Sequence, residues 1–154
     1  MNTLDLSTYL EDFSEQLKDN LPDDVYSCEV YGGQLEDDAS EYLNFNVNKK
    51  AQCFISMDEI ILDQGVNLLG DASFAVFVVA ITDPRTKGFS LKGLTISQKI
   101  SGFINNSDNF NEGTAGRPKI VSMTQLTNKI KDKKLYNIFR IVYSQRIILK
   151  QDYT

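Results

Sequence analysis

Residues 73 to 82, SFAVFVVAIT, constrain the fold more than any other stretch, because so continuous an apolar and β-branched run cannot turn one face to water. A strand sends alternate side chains to opposite sides, so this one needs apolar cover on both. It predicts a central strand with a core on each face of the sheet. The other dominant feature is LYNIFRIVYSQRIILK, Leu135 to Lys150, which reads as one long terminal strand. Its odd positions, Phe139, Ile141, Tyr143, Gln145, Ile147 and Leu149, form a core face, and the even positions from Arg140 are mixed. An ordinary strand has about five or six residues, so this run either spans the sheet and projects past it or is divided by a bend. A projecting end would leave backbone donors and acceptors that a second chain could complete by strand addition, and a wholly intramolecular strand is the alternative. Gln145 interrupts the apolar face and is expected to bond to neighbouring backbone, since a buried unpaired amide costs about 1 to 3 kcal/mol.

The remaining elements fit around these two. LDLSTYLEDFSEQLKDNLPDD places Leu6, Tyr9, Leu10, Phe13, Leu17 and Leu21 at helical spacing and ends at Pro22. VYSCEVYGG predicts a short strand with Tyr26, Cys28 and Val30 on one face, and AQCFISM predicts another over residues 51 to 57. A strand is also expected from about Tyr42 to Val47. FSLKGLTISQKISGFINN predicts a second helix through Leu94, Ile96, Ile100, Phe103 and Ile104, although Gly93 and Gly102 each cost about 1 kcal/mol there. Residues 105 to 118 read as a long polar loop, KIVSMTQLT as a short strand, and NKIKDKKLYN as a basic connection. The fold class that follows is α+β, a single domain over residues 1–154 with a mixed or antiparallel sheet of four to five strands packed by two helices.

Chemistry is sparse. The chain has no histidine, which removes the usual ligand or base of zinc, haem and Ser/His or Cys/His sites. Cys28 and Cys53 are expected in strands as small buried hydrophobes, with a redox pair as the alternative. No phosphate-binding Gly-rich loop, G-x-S-x-G, C-x-x-C or H-E-x-x-H occurs. The acidic runs Asp23-Asp24, Glu36-Asp37-Asp38 and Asp58-Glu59 read as solvated surface, and residues 108 to 113 lack the alternating ligands of a calcium loop. Two carboxylates could serve a glycosidase, but a chain without tryptophan has none of the largest platforms for a sugar cleft. Neither enzymatic activity nor a cofactor is expected. No apolar run reaches the roughly 20 residues that span a bilayer, and the acidic start does not suit a signal peptide, so a cytosolic protein is expected.

Charge is distributed unevenly. Residues 1 to 45 hold twelve acids against Lys18, and residues 117 to 150 hold nine bases against Asp132. The two segments either neutralise each other within one molecule or meet across a head-to-tail interface. Direct nucleic-acid binding by the basic end is disfavoured by the net charge of -5 and the lack of interleaved aromatics.

Taken in order, the opening amphipathic helix, AQCFIS, FAVFVVAITDPRTKG leading into a helix, GTAGRPKIVSM and the closing LYNIFRIVYSQRIIL resemble the small tail-terminator proteins of long-tailed, Mu-like bacteriophages and prophages. The likeness runs from about residue 4 to 149. Phe139 stands where that family commonly has a tryptophan, and residues 34 to 48 are more acidic than its pattern. The resemblance implies an α+β subunit that joins others in a ring, typically a hexamer, capping the tail tube and offering a surface for head attachment. The partners it implies are copies of itself, tail-tube and sheath proteins, and head-completion proteins, in the host cytoplasm during assembly and then in the virion tail. On that reading Glu36, Asp37, Asp38, Phe110, Arg117, Lys119, Arg140 and Arg146 are interface residues. The alternatives are a head-completion or connector protein, and a small cytosolic adaptor that binds one peptide by strand addition.

Overall fold

The computed structural model describes residues 3–32, 50–65, 67–82, 91–107, 114, 116–131 and 134–151, with residues 82, 127–131 and 134–135 described by their backbone alone. The element order is α1 (Leu6–Asn20), β1 (Val25–Val30), β2 (Ala51–Leu62), β3 (Leu69–Thr82), α2 (Leu91–Asn106), β4 (Lys119–Lys131) and β5 (Lys134–Ile148). The five strands form one sheet in the order β1-β2-β3-β5-β4. β1 runs parallel to β2 and the other neighbours are antiparallel, so the sheet is mixed. The α+β domain with two helices and five strands is the one expected from the sequence.

β3 holds the centre, as its two-sided apolar run requires. Phe74, Val76 and Val78 join one core, and Val79 and Ile81 join a second. The first core lies under both helices: Tyr9, Phe13 and Leu17 of α1 and Ile96, Ile100 and Ile104 of α2 pack on Cys53, Ile55, Phe139, Ile141 and Tyr143. The second, on the opposite face, gathers Phe54, Val79, Ile81, Tyr136 and Ile138 at one end of the sheet. The helices are set locally. Asp5 caps α1 with its carboxylate oxygen accepting from the Thr8 amide at 3.1 Å, and Pro22 follows the C-cap Leu21. Lys99 of α2 reaches Asp24 at 3.1 Å, tying the second helix to the end of the first.

The terminal strand does not project. All of β5 from Leu135 to Ile148 pairs with β3, and β4 covers its other side from Lys134 to Ser144. Its end is also held: Leu4 forms a parallel bridge with Leu149, the Leu149 amide donates to Leu68 at 2.8 Å, and the Lys150 amide donates to Leu4 at 3.0 Å. The long strand is therefore intramolecular, and among the described strands the open margin passes to its neighbour β4.

Three further boundaries differ from the sequence reading. β2 continues past Met57 to Leu62 because its partner β3 begins at Leu69, and Gly70 and Asp71 act as strand residues opposite Leu62 and Ile61. The basic stretch 128 to 134 is mostly strand, pairing β4 with β5 up to Lys131 and Lys134. In β1, a register shift between Val25 and Ser27 takes Tyr26 out of the simple alternation and exposes it, while Cys28 packs on the core and Val30, on the same face in regular register, is exposed at the end of the strand. The strand expected over residues 42 to 47 lies outside the described residues.

Candidate interaction surface

A buried polar cluster between α1 and β5 is structural. The Tyr9 hydroxyl lies 2.8 Å from the Tyr143 hydroxyl and donates to Gln145 Oε1 at 2.8 Å, while Gln145 Nε2 donates to the Gly116 carbonyl at 2.9 Å. Gln145 thus meets backbone as its position in an apolar face requires, and it pins the loop before β4 to the sheet. The rings around it stack: Tyr9 on Phe74 at 4.6 Å, Phe74 on Tyr143 at 5.2 Å, and Phe13 on Tyr143 at 5.6 Å between centroids. Burial pushes the pKa of both tyrosines upward, so they stay neutral hydrogen-bonding groups.

The two cysteines are cross-strand partners on β1 and β2, both free. Burial raises the Cys28 thiol to about 12, with a hydrogen bond from Ser14 opposing and Glu29 adding to the rise. Cys53 is also raised, by burial and then by the neighbouring Cys28. Such thiols are protonated and poorly nucleophilic. Among the described residues, no group of three or more Cys, Asp or Glu side chains converges as a metal site would need.

The cations named from the sequence are spread over the surface. Arg140 pairs with Asp58, and Arg146 pairs with Asp63 and, at 3.2 Å, with Asp71. These pairs bring β5 together with β2, β3 and the turn between them, on the sheet face away from the helices. Arg117 donates to the Asn106 carbonyl at 3.4 Å, linking the loop before β4 to the end of α2. Lys119 opens β4 and is exposed. Glu36, Asp37, Asp38 and Phe110 lie outside the described residues.

What sequence patterning missed is the character of β4. All six residues from Val121 to Leu126 are exposed, including Val121 at 63%, Met123 at 41% and Leu126 at 48%. Register shifts between Ile120 and Ser122 and between Gln125 and Thr127 leave Val121 and Leu126 without an opposite residue on β5. A period-2 pattern hides this, because KIVSMTQLT looks half-buried whichever face is chosen. At the other side of the molecule, α1 and β1 form a groove of about 410 Å³ lined by Glu11, Ser14, Glu15, Lys18, Cys28, Glu29 and Val30. Three carboxylates and one ammonium surround the mainly apolar patch of Ser14, Cys28 and Val30.

Neither a protein-family model nor a curated protein matches this chain.

Proposed function

We propose that the chain is a structural subunit of a phage or prophage tail, the terminator that assembles as a ring on the completed tail tube and presents a surface for head joining. The observation that carries this reading is β4, an edge strand exposed along Val121–Leu126 with three large apolar side chains in water. An edge of that kind is a liability unless another chain covers it. The resemblance of the closing strand, the FAVFVVAITDPRTKG stretch and the opening helix to tail terminators supplies the identity of the assembly. The buried tyrosines and high-pKa thiols serve packing, leaving the surface as the working part.

The test is mass by light scattering at low and high salt, with and without isolated tail tubes. A ring-sized particle, or a monomer that assembles on the tubes, is expected. A monomer at every concentration that ignores the tubes would refute the proposal. The same open edge also suits an adaptor that takes one peptide by strand addition, which predicts a one-to-one complex and no ring. A head-completion protein would bind DNA-filled heads in place of tails.

A further inference from the structure

The two margins of the sheet are unlike. β4 contributes Lys119, Lys129 and Lys131 with no acid in its sequence, and exposes Val121, Met123 and Leu126. Beyond β1, at the other end of the strand order, Glu11, Glu15 and Glu29 border the α1–β1 groove, whose floor includes Cys28 and Val30. Four strand spacings separate β1 from β4, which at about 4.8 Å each is about 19 Å. One molecule cannot fold these margins onto each other. Pairing β4 with the β4 of a second copy would bring two lysine-bearing, acid-free strands together, which like charge opposes.

We infer that β4 of one copy docks in the α1–β1 groove of a second copy. Val121 and Met123 cover the floor at Cys28 and Val30, and Lys119 faces the glutamates of the rim. Among the described residues, Lys18 is the one cation lining the groove, and three carboxylates outnumber it. Because the contact uses two different surfaces, each docked copy presents a fresh groove or a fresh β4. The contact is heterologous, so it propagates into a closed ring or an open filament. This inference rests on the proposed assembly role and adds the surfaces that would build it.

Three variants test it by sedimentation, with circular dichroism to establish that each is folded: Met123→Asp, the double variant Glu11→Lys with Glu15→Lys, and the charge swap that combines Lys119→Glu with those two lysines. Met123 and both glutamates are exposed, so folding is expected to survive. The first two are expected to weaken self-association at least tenfold, and the swap is expected to restore part of what the double variant loses. Wild-type assembly that neither Met123→Asp nor the double variant weakens would overturn this contact and leave the tail role standing. A wild type that remains monomeric even on tail tubes would overturn both.

Discussion

At the scale of single residues, the molecule uses its polar side chains to fix packing. Tyr9 carries two hydrogen bonds through one hydroxyl, so Tyr9→Phe would strip a partner from both Tyr143 and Gln145 while leaving the ring stack intact. A loss of about 1 to 3 kcal/mol is expected, measured as a shift in the urea midpoint at constant slope. The thiols give a second prediction. Cys28 sits near 12 in the fold, against about 8.5 in an unfolded chain, so at pH 8 the native protein holds on the order of a thousandfold less thiolate. Alkylation of the native protein by iodoacetamide should be at least about a hundredfold slower than in urea. The folded pKa is raised, so the unfolded state loses its proton first. The stabilisation is complete below about pH 8.5 and falls as pH climbs toward 12, by up to about 1.4 kcal/mol per pH unit for each such group. Cys53, Tyr9 and Tyr143 shift in the same direction and steepen the fall, the tyrosines only above about pH 10. Urea midpoints from pH 7 to 10.5 would show it, and a flat profile would contradict the burial of these groups.

At the scale of elements, α2 separates two glycines that look alike in sequence. A Cβ on Gly93 would lie 2.9 Å from the Phe139 ring and 3.1 Å from Asn137 Cβ, whereas one on Gly102 would meet nothing within 4 Å. Gly93→Ala should therefore cost about 1 to 3 kcal/mol by pushing the helix off β5, and Gly102→Ala should add about 0.5 to 1 kcal/mol. Thermal melts of the two variants check the contrast. The pair also marks what local pattern can reveal. Helix α1, the core of β3 and the inner face of β5 were legible because their apolar patterns are long, with Gln145 the one break in β5. The ends of β2 and β3 were not, since Asp58 to Leu62 and Gly70–Asp71 become strand only by pairing with each other. The partners of Arg140 and Arg146 were hidden for the same reason: the acids that engage them, Asp58, Asp63 and Asp71, lie far away in sequence and arrive through β2–β3 pairing. The apolar side chains of β4 were hidden by two register shifts that no alternation announces. The charge asymmetry itself was plain from residue counts.

At the scale of the whole molecule, the mixed sheet turns that asymmetry into direction. The acidic first helix lies against β1 and β2, and the lysine-rich strand closes the opposite end, so the charge gradient runs across the strands. Among the described residues the intramolecular pairs do not cancel it: Arg140 and Arg146 meet acids of β2, β3 and their connection, Lys99 takes up Asp24, and Glu11, Glu15 and Lys119 are left exposed. Salt should therefore separate folding from assembly. The ion pairs within the chain are exposed to solvent and contribute little to stability, so raising salt from 0.05 to 0.5 M should move the urea midpoint little. The proposed contact between copies would draw opposite margins together through solvent, where the screening length falls from about 10 Å at 0.1 M to about 3 Å at 1 M. Self-association should weaken severalfold over the same range and approach more slowly at high salt, since complementary fields act chiefly on encounter. Sedimentation and stopped-flow light scattering measure the two effects. If association strengthens with salt, burial of Val121, Met123 and Leu126 dominates, and the carboxylates of the groove do not select the partner.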